Sequence, residues 1–231
     1  IPEIFIHSSN IGAAKMAQHV GSRVQKDFLR RIGILSSTSL EISEVGSPIT
    51  PGRWGKTTTM TVGIGYGIAV SPIQLSAGVS AMVNGGIFFQ PTLLKRSKFR
   101  TKKGMRVISK KTSKQIRQML RSVVVRGTGR KAASPGYLVG GKTGTAEKVI
   151  GRKYKSKALI SSFIGAFPMH SPRFVVFAML DEPSGTKETF GYATGGWVAA
   201  PVVGKVISRI GPLLGVRPLD EKSPEIQDKM D

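Results

Sequence analysis

The 231 residues are 40% hydrophobic with a mean hydropathy near zero, enough for one sizeable core of the ordinary globular class. Lys and Arg outnumber Asp and Glu 35 to 13, for a formal net charge of +22, so the composition invites an anionic partner. The absence of Cys excludes disulfides and thiol chemistry, His7, His19 and His170 lack ligand spacing, and no apolar run reaches the ~18 residues of a membrane span, so no metal, cofactor or span is expected.

In chain order, Ala14, Ala17, Val20, Val24 and Phe28 recur at three and four, which predicts one or two helices from Ile11 to about Ile32, broken near Gly21. Ser8, Ser9 and Asn10 precede them, and Asn10 has the chemistry of an N-cap. Residues 33–62, rich in Gly, Pro, Ser and Thr, read as loop. Ser71, Pro72, Ile73 and Gln74 form a capping box with Pro at the first helical position, opening a helix that ends at Asn84, Gly85 and Gly86.

The basic residues then crowd together. Between Lys95 and Lys131 they recur every few positions, including Lys98, Arg100, Lys102, Lys103, Arg106, Lys110 and Lys111, and no acidic residue lies between Glu44 and Glu147. A field of that sign draws nucleic acid, anionic lipid or acidic proteins alike. The stretch holds a single aromatic, Phe99, and no finger or ribonucleoprotein signature, so nucleic acid is not expected, and a solvated basic face is the plain alternative.

Within it, Ile116, Met119, Leu120, Val123 and Val124 line one face of a helix from Lys110 to Val125, which Gly127 stops. Beyond Gly127 the period turns extended. Tyr137–Val149, Ala158–Phe167 and Phe174–Leu180 read as three antiparallel strands, the last two joined by a turn from Pro168 to Arg173. Pro201 opens a closing helix over Val202–Ile210 that can cover one sheet face, and the charged residues from 220 to 231 read as a frayed tail after a domain spanning 1–219.

One stretch supports two chemistries. Gly136 to Thr143 satisfies the phosphate-loop spacing of a Gly, four residues, then Gly, Lys, Thr, while Lys142, Thr143, Gly144 matches the third motif of penicillin-recognising serine enzymes. A phosphate loop needs a buried strand before its first Gly and a helix starting at its Lys. Here Gly127–Pro135 is loop, Gly144 falls in what would be the first helical turn, and the carboxylates Asp181 and Glu182 ending a strand only imitate a magnesium site. The serine-enzyme motif instead requires a strand facing a cleft, which the extended pattern supplies.

The chain resembles the C-terminal part of the transpeptidase domain of class B penicillin-binding proteins, in particular the division-specific peptidoglycan transpeptidases. The residues that carry the resemblance are Ser8, Ser9, Asn10, Ile11, Gly12; the Trp54 region; Gly63–Gly67 leading into Ser71–Leu75; Asn84, Gly85, Gly86 and Pro91; Gly141–Lys148; and Leu180–Pro183. It implies an α+β fold in three α/β/α layers, an antiparallel sheet flanked by helices like that of serine β-lactamases. It also implies a Ser nucleophile that attacks a D-alanyl-D-alanine carbonyl, forms an acyl-enzyme and passes the acyl group to an amine of a neighbouring strand.

By the same resemblance Ser8 relays a proton toward the leaving amine, and Asn10 hydrogen-bonds the donor peptide and orients Lys142. Lys142 raises the local potential and holds the Ser8 hydroxyl, while Thr143 and Thr145 bind the terminal carboxylate. The Thr145 N–H is one oxyanion donor, and Gly144 permits close approach of substrate. The expected partners are peptidoglycan stem peptides, β-lactams and membrane proteins of the division machinery, with an anionic membrane surface as a further candidate. The expected location is the periplasmic face of the bacterial inner membrane, with the anchor outside this chain. The family's Ser, two residues, Lys motif has one literal match here, Ser184 to Lys187, in a Pro/Gly loop after the last strand rather than opening a buried helix. The nucleophile helix and the family's N-terminal strands are therefore expected outside these residues, leaving this chain inactive alone. A basic docking module and a phosphate-loop nucleotide hydrolase are the alternatives.

Overall fold

The structure is a computed structural model that describes residues 1–95, 103–150 and 153–226. Its helices are α1 (Pro2–Ile6), α2 (Asn10–Val20), α3 (Ser22–Arg31), α4 (Lys56–Gly63), α5 (Pro72–Val83), α6 (Lys110–Arg126), α7 (Gly195–Val198) and α8 (Ala200–Leu213). Its strands are β1 (Ile87–Phe88), β2 (Met105–Arg106), β3 (Gly140–Ile150), β4 (Lys153–Phe167) and β5 (Phe174–Asp181). The chain divides into two compact units, Ser8–Ser113 and a second that joins Ile1–His7 to the chain from Lys114 onward.

In Ser8–Ser113 the break at Gly21 falls where the sequence puts it, between α2 and α3, at φ 83 and ψ 158, a conformation open to Gly and not to a side chain. The N-cap differs. Ser9, in extended backbone, caps α2 by accepting the Gly12 N–H at 3.2 Å, and Asn10 is the first helical residue. Any of three consecutive capping residues has the chemistry; the backbone decides, because Ser8 takes φ 55 and leaves Ser9 extended.

Helix α4 lies inside the stretch read as loop. Thr57, Thr58, Thr59, Thr61 and Val62 are β-branched and weak helix formers, so local propensity hides it. Packing overrides that propensity: a Cβ on Gly63 would sit 2.4 Å from the Ala17 Cβ, so glycine there lets α4 close directly on the Ala17 methyl of α2. The hydroxyls of Thr59 and Thr61 turn inward, donating to the Gly55 and Thr57 carbonyls at 2.9 and 3.0 Å.

The capping box of α5 is present in both directions. Ser71 Oγ accepts the Gln74 N–H at 3.3 Å, and Gln74 Oε1 accepts the Ser71 N–H at 3.0 Å. Gln74 is 2% exposed, and its Nε2 donates to the carbonyls of Gly33 and Ser36, tying the chain after α3 to the start of α5. Ile32, Ile34, Ala81, Phe88 and Val107 form the core beneath.

In the other unit β3, β4 and β5 form the expected antiparallel sheet, with β3 and β5 as its edges among the described strands and no closure into a barrel. The register sets Lys142 opposite Ile164, Thr145 opposite Ser161 and Phe167 opposite Phe174. Helix α8 opens with Pro201 near its start, as expected, and packs Val203 and Ile207 into a core with Val139, Phe163 and Phe167. Burying each of those Phe rings contributes about 2–3 kcal/mol. Gly127, directly after the last residue of α6, must be glycine because a Cβ there would stand 2.5 Å from the Ile6 carbonyl oxygen.

The segment read as a frayed tail is fastened as far as it is described. Leu219 N–H donates to the Gly136 carbonyl, and the Glu221 carboxylate accepts the N–H groups of Gly136 and Leu138 while pairing with Arg121 at 2.5 Å. A charged sequence reads as solvated until its partners, some 80 to 100 residues earlier, are known. Part of the basic stretch is likewise turned to internal use, while Lys103, Lys110 and Lys111 are exposed. Arg117 donates to the Met169 and His170 carbonyls, Arg126 pairs with Glu3, and Lys131 lies 4.3 Å from the centre of the Trp197 ring. Lys98, Arg100 and Lys102 lie outside the described residues. No helix among the described residues is long and apolar enough to cross a membrane.

Candidate active site

Strand β3 carries Lys142, Thr143, Gly144 and Thr145, and its period of two puts Thr143 and Thr145 on one face and Lys142 and Gly144 on the other. Lys142 is half-buried. Its Nζ lies 6.0 Å from the centre of the Phe5 ring and 3.4 Å from the Thr143 carbonyl oxygen. Removal from water disfavours the ammonium and pushes its pKa down to about 8. A lysine so placed can give or take a proton near neutral pH, which an exposed one cannot.

The two threonines are each gripped from behind. The Thr143 and Thr128 hydroxyls stand 2.9 Å apart, and the Gly195 N–H donates to Thr145 Oγ1 at 3.0 Å. Gly195 must be glycine, because a Cβ would lie 2.3 Å from the Ser162 carbonyl oxygen and 2.5 Å from that of Gly144. The start of α7 therefore rests directly on the backbone of β3 and β4. Buried Ser161 holds the preceding residues in place by donating to the Ala193 carbonyl at 2.5 Å. Gly144 has an internal reason as well, since a Cβ there would meet Ser162 Oγ at 2.6 Å.

The loop from Glu182 to Thr194 is anchored at its start by Lys148, whose ammonium reaches Asp181 at 2.8 Å and Glu182 at 3.0 Å. At its end Tyr192 stacks on Trp197 and Phe190 meets the same ring edge-on, with Phe190 77% exposed. Ser184 and Lys187 sit exposed in this loop, without the buried helix that the nucleophile motif requires. Ser8 and Asn10 belong to the other unit. Ser8 is exposed with φ 55, a left-handed conformation that costs a non-glycine residue about 1–2 kcal/mol, and Asn10 is exposed in the first turn of α2.

This geometry removes the phosphate-loop alternative. Lys142 lies within a strand and no helix begins at it. The carboxylates that imitate a magnesium site are both taken by Lys148, and no group of three or more potential metal ligands occurs among the described residues. Thr128 and Gly195 are not singled out by the sequence reading. Their only sequence signals are a Thr flanked by Gly127 and Gly129 and a Gly pair at 195–196.

The model of the penicillin-binding protein transpeptidase domain matches residues 1–208. The chain belongs to this transpeptidase family. A curated member from Caulobacter vibrioides, described as a probable peptidoglycan D,D-transpeptidase FtsI, is 40% identical over 224 residues, which cover 93% of this chain and 38% of that protein. The transpeptidase domain of penicillin-binding protein 3 from Burkholderia pseudomallei superposes with a TM-score of 0.83 at 34% identity, over 92% of this chain and 64% of that one. Penicillin-binding protein 3 of Mycobacterium tuberculosis, solved with ampicillin, gives a TM-score of 0.86 at 26% identity over 98% of this chain and 53% of that one. The chain thus spans just over a third of the curated transpeptidase and under two thirds of the solved ones.

Proposed function

We propose that this chain forms the substrate-holding side of a serine peptidoglycan D,D-transpeptidase that acts in cell division and is blocked by β-lactams. The observation that carries the reading is the β3 strand itself: a desolvated Lys142 and, on the opposite face, two threonine hydroxyls backed by Thr128 and the Gly195 amide. In the reaction a Ser hydroxyl attacks the penultimate D-alanine carbonyl of a stem peptide. The peptide C–N bond breaks, and terminal D-alanine leaves with a proton relayed through Ser8 and Lys142. An amine of a second stem peptide then attacks the ester, the Ser oxygen regains its proton, and the cross-link is formed. Thr143 and Thr145 hold the terminal carboxylate, Asn10 holds the donor backbone, and the Thr145 N–H faces the developing oxyanion.

The nucleophile comes from outside the 231 residues in this reading, because the lone Ser, two residues, Lys match at Ser184–Lys187 lies in an exposed loop. Residues 1–219 are the C-terminal part of the transpeptidase domain, and division proteins at the periplasmic face of the inner membrane are its partners. No cofactor enters the scheme. The intact protein should release D-alanine from a stem peptide ending in D-alanyl-D-alanine and join the remainder to an amine acceptor. Absence of both products, together with a magnesium-dependent thermal shift by ATP, would reject the assignment.

A further inference from the structure

We infer that Thr128 and the Gly195 amide are positioning groups that set the polarity of the two β3 hydroxyls, turning Thr143 and Thr145 into outward donors for an anionic ligand group. The inference deepens the transpeptidase reading and rests on it. A threonine hydroxyl has one proton to donate and two lone pairs to accept with. Gly195 N–H is a donor only, so at 3.0 Å it occupies a lone pair of Thr145 Oγ1 and leaves the Thr145 proton to point elsewhere. Thr128 and Thr143 stand 2.9 Å apart, and either can donate to the other in the absence of ligand. When a carboxylate meets Thr143, only one arrangement satisfies all three groups: Thr128 donates to Thr143, and Thr143 donates to the anion. Each bond in such a chain polarises the next.

The backbone around both contacts is built to hold them. A Cβ on Gly196 would lie 2.4 Å from the Thr128 carbonyl oxygen and 3.5 Å from the Thr143 methyl, so the start of α7 closes on Thr128 as well as on β3. Thr128 itself follows Gly127, whose N–H ends α6 on the Val123 carbonyl. Three separate stretches of chain, at 128, 143–145 and 195–196, therefore converge on two side-chain oxygens.

The test uses the intact protein, benzylpenicillin, whose carboxylate would meet Thr143 and Thr145, and benzylpenicillin methyl ester, which lacks that charge. Thr128→Val keeps the shape and removes the hydroxyl, while Thr128→Ser keeps the hydroxyl. The acylation rate constant with benzylpenicillin should fall about tenfold in Thr128→Val and return to within about twofold of the parent in Thr128→Ser. The already slow acylation by the ester should not change. Equal losses with both probes, or failure of Thr128→Ser to rescue, would show a merely structural role and overturn the inference, as would no loss with either probe. A parent protein that is not acylated at all would instead reject the transpeptidase reading on which the inference stands.

Discussion

Replacing Lys142 by Met keeps the length of the side chain and removes its titration, and the consequence for stability can be worked from the structure. Burial lowers the folded-state pKa from 10.5 to about 8. At about 1.36 kcal/mol per pKa unit, holding the ammonium in its half-buried place costs the folded state about 3 kcal/mol wherever the lysine is protonated in both states. The sign follows from the protons bound. Between pH 8 and pH 10.5 the unfolded chain still holds a proton that the folded chain has released, so the parent protein gains stability as pH rises through this window. Below pH 8 the full cost is present, and above pH 10.5 it is gone. Lys142→Met escapes this pH-dependent cost but also gives up the Nζ hydrogen bond to the Thr143 carbonyl, so the stability gap between variant and parent should shift in the variant's favour by up to about 3 kcal/mol as the pH falls from 10.5 to 7. Urea unfolding of the intact protein, followed by tryptophan fluorescence at several pH values, measures the gap. A gap that stays constant from pH 7 to 10.5 would refute the desolvated lysine.

Other sites give sharper structural outcomes. Gly195→Ala forces a Cβ against two backbone carbonyls and should destabilise the protein by about 1–3 kcal/mol and slow acylation, whereas Gly46→Ala, at an exposed glycine with open space around it, should leave acylation unchanged; equal acylation in the two would contradict the packing described. Gln74→Leu keeps the buried volume but loses the reciprocal cap and the bonds to Gly33 and Ser36, and should lower stability by about 2–3 kcal/mol in urea melts, with a loss below about 0.5 kcal/mol counting against it. Glu221→Gln should weaken the clasp on Arg121, Gly136 and Leu138 by about 1–3 kcal/mol and speed amide exchange at Gly136 and Leu138; unchanged exchange there would mean that the segment is not fastened.

What the sequence made legible is what local chemistry decides. The cap of α5 is written in Ser71 and Gln74, the break at Gly21 in one residue, and the β3 motif in the alternation of Lys142, Thr143, Gly144 and Thr145. The misses share a different cause. Helix α4 forms against the propensity of its own threonines because α2 is packed on it, and Ser9 rather than Asn10 caps α2 because Ser8 bends the backbone. Glu221, Thr128 and Gly195 act on partners 83, 15 and 50 residues away, distances over which no motif can be read from one sequence. The basic run between Lys95 and Lys131 misled in the other direction, since arginines that read as a free cationic surface are in part fastened to Glu3, Glu221 and main-chain carbonyls.

In the proposed reaction β3 presents Lys142 to an acyl-enzyme step whose attacking serine is not Ser184. Labelling the intact protein with a fluorescent penicillin, with the modified peptide mapped, tests it directly. Covalent labelling is expected outside residues 1–231 in the parent and should be lost in Lys142→Ala, with the variant still folded by thermal melting. Labelling at Ser184, or labelling at the parent rate in Lys142→Ala, would overturn these roles for β3 and Lys142.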